Sequence, residues 1–414
     1  MSTGSTDHLR RRPSTHRGRR LAGVLALTGG CALLLVAYAA ARTSRESKPL
    51  VPVGGTGVSS LRAELSHFRQ SGRYSMLIVP TREARLAAKK PGRSLVYFAG
   101  TDVNTDWNAG VPYRTALANG WLLKDGAGNL LKNLGFPDNY IGDVGNPAYQ
   151  RAWLANVLEF VRRTHVDGVF IDDVLNDLTP MAGGEAAEYP TQQAWADAEL
   201  SFIRTVGSAL RAKGYYVLAN ASAFVRGDPD SDTGATTASW WRELGPYVNG
   251  LMDESYAQDP GGSYALRATG TAWYQNWDGW QQLVQVAQSM GKDFVGVTYG
   301  RGSDLATMVY AKASFLLDWN GGGGAFMYVP TDNVDPSGAI WATNIGSPLG
   351  AKRQVGAGWM RKYTGGAALV NPSPDQSQSF DLGRAYVGPA GNSVETVTLS
   401  PTSAMILRLR PAAR

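Results

Sequence analysis

Thiols and imidazoles are nearly missing from this chain, which has one cysteine and four histidines in 414 residues. The cysteine, Cys31, and two of the histidines, His8 and His16, fall within the first 41 residues, so that only His67 and His165 remain beyond them. Disulfides, cysteine nucleophiles and thiolate zinc sites are therefore excluded from the body of the protein, and a multi-histidine metal centre has too few ligands. No metal ion or other cofactor is expected. A basic surface is missing as well. The formal charge is +6, but Arg10, Arg11, Arg12, Arg17, Arg19 and Arg20 stand against the single acid Asp7 at the N-terminus, and the remainder lies within one charge of neutral. Without a basic run there is no electrostatic footing for nucleic acid. A Cys-His pair is unavailable and a Ser-His-Asp triad would need one of two histidines, so carboxylates are the default catalytic groups.

The N-terminal arginines precede Leu21 to Ala40, twenty residues without a charge. A positive segment followed by an apolar one is the pattern of an export signal. Ala39-Ala40-Ala41 offers a small-residue cleavage site, while the length of the apolar run also suits an uncleaved membrane anchor over 21–40. Thr28-Gly-Gly-Cys31 faintly resembles a lipoprotein processing site, although the run stays apolar after the cysteine. All three readings put the body outside the cytoplasm, secreted or held at the cell surface.

Residues 42–69 read as a linker and lead-in segment, rich at first in Ser, Pro, Gly and Val without a period. Short apolar runs then alternate with helical stretches. Strands are predicted at 74–79, 95–99, 140–144, 168–172, 215–219, 250–253, 294–299 and 324–329, and helices at 82–89, 147–163, 191–213, 280–289 and 305–317. Runs such as Val169-Phe-Ile171 are apolar on both faces, which suits parallel strands covered by helices. Eight such strands over about 265 residues match an α/β fold of the (β/α)8 TIM-barrel type, spanning 70–358. A doubly wound sheet would call for a Gly-rich phosphate turn after an early strand, and Tyr97-Phe-Ala-Gly-Thr-Asp102 has none. From 359 to 414 the runs at 367–370, 379–382, 395–399 and 404–409 have turns between them and no helix, which predicts a small antiparallel, sandwich-like β-domain.

In a TIM barrel the chemistry sits at the C-terminal ends of the strands. Three predicted strands end in acids: Ile141-Gly-Asp143, Val169-Phe-Ile-Asp172-Asp173 and Leu251-Met-Asp253-Glu254. Counted by position these are the third, fourth and sixth strands. An Asp after a strand often merely caps the following helix or starts a turn, but three acidic strand ends together are harder to explain that way. Glycoside hydrolysis needs two carboxyl groups flanking one bond, one protonated and one ionised. Side chains alternate along a strand, so Asp172 and Asp173 cannot both face the barrel axis in regular geometry, and the run does not show which one does.

These residues carry a resemblance. His165-Val-Asp-Gly-Val-Phe-Ile-Asp-Asp173 resembles the fourth-strand motif of TIM-barrel glycoside hydrolase-like families, and Trp121-Leu-Leu-Lys-Asp-Gly126, Asp143-Val-Gly-Asn-Pro147 and Met252-Asp-Glu254 fall in the matching order. Over roughly 70–330 the chain is similar to hypothetical glycosyl hydrolase family 15, and more distantly to the endo-α-1,4-polygalactosaminidase family. The resemblance implies glycosidase activity, with the first Asp of the motif and a sixth-strand acid as the pair, here Asp172 and Glu254, and leaves their individual roles open. Asp173 stays a catalytic candidate beside them.

Twelve tryptophans are present, and Trp107, Trp240, Trp241, Trp273, Trp277 and Trp280 follow predicted strands, in loops or, for Trp280, at the first residue of a predicted helix, where they could stack on sugar rings or simply pack. Trp273 and Trp277 are the stacking candidates, and Asp143, Tyr299 and Arg301 complete the substrate-binding set. The expected partner is a polysaccharide or oligosaccharide met by a monomer. Two other classes remain open: a sugar-binding barrel without activity, and a metal-dependent enzyme using Asp143, Asp172 and Glu254 as ligands.

Overall fold

The computed structural model describes residues 50–53, 56–59, 76–89, 92–108, 110–224, 234–258, 265–270, 276–331 and 345–410. The expected export segment and Trp273 lie outside them. Among the described residues no helix is long and apolar enough to cross a membrane.

Chain order begins with strands β1 (Leu50–Val53), β2 (Thr56–Ser59) and β3 (Met76–Val79), helix α1 (Ala84–Ala87), and strands β4 (Arg93–Ala99) and β5 (Asp102–Asn104). Helix α2 (Tyr113–Ala118) follows, then β6 (Lys132–Asn133), β7 (Phe136–Ile141), α3 (Pro147–Thr164), β8 (Gly168–Leu175), α4 (Thr179–Ala182) and α5 (Gln192–Ala212). The barrel is completed by β9 (Tyr216–Ser222), α6 (Gly234–Leu244), β10 (Gly250–Asp253), α7 (Trp277–Ser289), β11 (Asp293–Gly300), α8 (Leu305–Asp318) and β12 (Ala325–Pro330).

Seven of these strands, β3, β4, β8, β9, β10, β11 and β12, run parallel side by side. The ring is closed by β1, which pairs antiparallel with both β12 and β3. Two strands thus lie inside the stretch that reads as a linker. The expected strand at 140–144 is not a barrel strand. Its first residues belong to β7, which pairs with β5 and β6 in a separate three-stranded sheet inserted between β4 and β8. With β1 counted first, β8 and β10 are still the fourth and sixth strands. Helix α6 covers residues that read as a loop, because Gly234, Thr236 and Thr237 at its start carry low helix propensity; burial of Trp240 and Trp241 holds it.

Four of the long helices start on a side-chain cap. Asn146, Thr191, Asn276 and Asp304 accept from the backbone N–H of Ala148, Ala194, Gly279 and Thr307 at 2.9, 3.1, 2.9 and 3.0 Å. Two apolar layers result from strand alternation. Met76, Ile78, Leu95, Tyr97, Phe170, Leu218, Met252, Val295, Val297, Tyr299 and Met327 fill the barrel interior, while Val96, Phe98, Val169, Ile171, Val217 and Leu251 face the helices.

After the barrel come β13 (Arg353–Val355), β14 (Gly358–Tyr363), β15 (Gly366–Asn371), β16 (Gln378–Val387), β17 (Ser393–Leu399) and β18 (Ser403–Leu409). They form one antiparallel sheet in the order β13-β14-β15-β18-β16-β17. One face, through Ala368, Val370 and Ile406, joins the barrel's helical core, and residues of the opposite phase bury a second cluster with Phe380 and Leu399. Arg361 fixes the junction by donating to the carbonyls of Leu316, Leu317 and Trp319 at the end of α8, where a helix leaves its last acceptors open.

Candidate active site

The motif over residues 165–173 divides into scaffold and chemistry. His165 ends α3 in the left-handed conformation, at φ 60°. Asp167 accepts from the backbone N–H and hydroxyl of Ser94 at 2.6 and 2.8 Å, locking β8 to the start of β4. Gly168 is obligatory, because a Cβ there would lie 2.0 Å from the carbonyl oxygen of Tyr216. The chemistry is left to the last two residues. Asp172 shares its phase with Phe170, which lies in the barrel interior, and so faces the axis.

Between Ile171 and Val174 the β8–β9 register slips by one residue. This bulge holds Asp173, at φ 61°, a conformation that costs a non-glycine residue about 1–3 kcal/mol. The backbone after the next acidic strand end also enters the left-handed region, with Ser255 at φ 65° immediately after Glu254 and Ala257 at φ 61° two residues further on. Alternation therefore does not govern Asp173, which is buried and whose charge acts on Tyr97.

Glu254 follows the inward Met252 on β10 and is partly exposed, whereas Asp172 is buried. Asn220, in phase with Leu218 on β9, joins them. Its amide nitrogen donates one N–H to Asp172 Oδ1 at 2.8 Å and the other to Glu254 Oε2 at 2.9 Å. Tyr299 donates its hydroxyl to Glu254 Oε1 and is held in place by Gln258, whose side-chain amide donates to the Tyr299 carbonyl and accepts from its backbone N–H. Asp172 also accepts from the Tyr97 hydroxyl and from the Asp173 backbone N–H, the latter at 3.1 Å.

Burial raises both carboxyls, and the charge of Asp172 adds to the rise at Glu254, which goes well above the ordinary range. Three donors, from Asn220, Tyr97 and Asp173, oppose the rise at Asp172. The two environments differ in the sense that an acid and an anion require. A further acid, Asp102, is buried at the start of β5 and is pushed up to about 7 by burial, against hydrogen bonds from Asn133 and Asn139. Among the described residues no group of three or more His, Cys, Asp or Glu is arranged to hold a metal ion.

The other expected site residues are placed as follows. Asp143 accepts from the Tyr189 hydroxyl beside the inserted sheet and is not joined to the pair. Arg301 is exposed after β11, its carbonyl accepting from Tyr328 at 2.9 Å. Trp277 is a correction: it is 1% exposed, donates to Ser314 at 2.9 Å and stacks on Trp359 of the C-terminal sheet at 6.5 Å, so no sugar ring can reach its face. Trp240, Trp241 and Trp280 are buried too, with indole N–H groups on Val174, Ala221 and Asp253. Trp107 differs. It is half-buried against the barrel interior, 5.9 Å from the Tyr97 ring, and Phe136 of the inserted sheet packs on the same cluster. Asn220 and Tyr97 carry no motif. Their signal was positional: polar atoms on inward-phase residues near strand ends.

No curated protein sequence matches the chain. Its fold is similar to the glycoside hydrolase domain of PelA from Pseudomonas aeruginosa (13% identity, 64% of this chain, 90% of that one, TM-score 0.43). Aspergillus fumigatus Ega3, solved with galactosamine, is similar at 10% identity over 63% and 85% of the two chains, TM-score 0.40. An α-amylase from Geobacillus thermoleovorans solved with acarbose is similar at 11% over 85% and 91%, TM-score 0.43. The model of hypothetical glycosyl hydrolase family 15 matches residues 97–367, from the Tyr97 strand through both acids and into the C-terminal sheet. The match spans more than half of the chain, and the chain belongs to that family.

Proposed function

We propose that the protein is an exported glycoside hydrolase that cleaves a cell-surface or extracellular polysaccharide with retention of configuration, Asp172 acting as nucleophile and Glu254 as proton donor. The observation that carries this reading is the single amide nitrogen bridging the two acids. With bonds of 2.8 and 2.9 Å to it, the facing oxygens lie closer than the roughly 6.5 Å at which inverting pairs begin.

In the first step Glu254 gives its proton to the glycosidic oxygen as the C1–O bond breaks, and an Asp172 oxygen forms the new bond to C1. In the second, Glu254 takes a proton from water, the water oxygen bonds to C1, and Asp172 leaves as carboxylate. The three donors on Asp172 stabilise it as nucleophile and as leaving group. Trp107 and Phe136 offer aromatic faces at the cleft in place of Trp277. Carboxyl groups and water suffice for the chemistry.

A panel of purified polysaccharides identifies the substrate. On it, Asp172→Asn and Glu254→Gln should each keep the fold and lose at least about 100-fold in kcat, the lower end of general acid–base assistance. Asp173→Asn should lose much less, because Asn220 does not bridge it. A substrate with an activated leaving group should rescue Glu254→Gln and not Asp172→Asn. Full activity of Glu254→Gln on the unactivated polymer, or binding without cleavage by the wild type, would defeat this reading.

A further inference from the structure

Helices α3 and α5 grip the exit of β4 residue by residue. From α3, Trp153 donates its indole N–H to the Ala99 carbonyl at 2.9 Å and Tyr149 its hydroxyl to the Gly100 carbonyl at 3.0 Å. From α5, Glu199 meets the next residue: its Oε1 lies 2.5 Å from the Thr101 hydroxyl. The same stretch holds the bulge of β8. The Gly100 N–H donates to the Asp172 carbonyl at 3.2 Å, and the Thr101 hydroxyl lies 3.2 Å from the Asp173 carbonyl.

Counting protons points to what Glu199 is. The Thr101 hydroxyl has one proton and two neighbours that accept, the Asp173 carbonyl and, if ionised, Glu199. A carbonyl cannot donate, and a single proton shared between two acceptors makes two weakened bonds, so both contacts are full hydrogen bonds only if Glu199 brings its own proton. Then Glu199 donates to Thr101, and Thr101 donates onward to Asp173. The surroundings agree: Glu199 is 0% exposed and its Oε2 is buried without a hydrogen-bond partner. That position is tolerable for the carbonyl oxygen of a neutral acid and costly for a carboxylate. Its charge would face the Tyr149 hydroxyl from α3, on which Asp102 and Asp143 also act, and the Asp173 peptide from β8. Burial pushes its carboxyl up to about 8, against the Thr101 bond.

We propose that Glu199 is a positioning residue that works as a neutral acid: through Thr101 it holds the Asp173 peptide in the bulge, and so aims the Asp172 carboxyl at Glu254. The positioning half rests on the reading of Asp172 and Glu254 as the reactive pair; the protonation half does not. In Glu199→Gln the amide N–H replaces the acid O–H, so kcat on the polymer the panel identifies should stay within about twofold. Glu199→Leu has no donor, so kcat should fall at least tenfold with KM unchanged, and Thr101→Val should copy it while Thr101→Ser should not.

Thermal unfolding of the full chain against pH reads the proton without any substrate. A carboxyl raised from 4.5 to about 8 on folding stabilises the native state fully below 4.5, and that stability is lost as pH rises to about 8. The Tm of the wild type should therefore fall relative to Glu199→Gln between those limits and run parallel above them. A flat difference across that window, or a Gln variant as damaged as the Leu variant, overturns the neutral acid. A folded Leu variant with wild-type kcat overturns the positioning, and if Leu does not fold, the Val and Ser variants of Thr101 decide it. If the wild type cleaves no polymer, the reading of the pair fails, while the Tm series still decides whether Glu199 keeps its proton.

Discussion

Asn220 donates both of its amide protons to the two acids, so its removal should act on both at once. A hydrogen bond to a charged group contributes about 1.5–3 kcal/mol, so Asn220→Ala should lower kcat by roughly 10- to 100-fold. The pH profile supplies a sharper signature. Asn220 pulls both carboxyls down, so without it both should titrate higher, and the acidic and basic limbs of kcat/KM should move to higher pH together. A fall in kcat with neither limb displaced would reduce Asn220 to a spacer. Aromatic residues separate by burial in the same way. Trp107→Ala should raise KM about tenfold, a loss of roughly 1.4 kcal/mol of stacking, with a smaller change in kcat. Trp277→Ala should leave KM alone and lower Tm, since truncating a buried Trp costs about 3–5 kcal/mol. The reverse pattern would restore Trp277 to the cleft.

At the level of elements, the sequence was legible wherever one period dominated. The barrel strands 95–99, 168–172, 250–253 and 294–299 each fall within an observed strand, and the four long helices that begin on a capping side chain were found within a few residues. The failures share a physical cause, which is structure held by partners distant in sequence. β7 looked like a barrel strand because an apolar run does not disclose which sheet it will join; its partners are β5 and β6. α6 was hidden by poor local propensity, and β1 was hidden because closing a barrel from the N-terminal side leaves no period in a four-residue strand. In the site, Asp172 and Glu254 were legible as strand-end acids. The bulge was not, and it decides the course of Asp173. Asp102 and Glu199 carry no signal in the sequence because only burial makes them unusual.

For the molecule as a whole, β1 makes the limits of the folded body testable. A chain starting at Thr43 retains β1 and should be soluble with one cooperative melt. A chain starting at Gly72, just before β3, lacks the strand that pairs with both β12 and β3 and should melt markedly lower or aggregate. Equal melting of the two would mean that the barrel does not need β1. At the other end, the sheet that follows the barrel is tied to α8 by Arg361 and by the Lys352–Asp318 ion pair at 2.6 Å, both of its side chains largely buried.

The direction of β1 also fixes which way the cleft would look. Because β1 runs against the seven parallel strands, Leu50 lies beside Ile78, toward the end where Asp172 and Glu254 sit, and Val53 lies beside Phe326, toward the opposite end. Leu50, the first described residue, thus stands at the cleft end of the barrel. If residues 21–40 stay in a bilayer, the nine residues from Ala41 to Pro49 can reach at most about 30 Å. The mouth of the barrel would then be leashed close to the lipid, like a mower confined to the lawn around its stake. Such an enzyme should trim polymer lying against its own envelope and spare the same polymer free in the medium, whereas the chain starting at Thr43 should attack both alike.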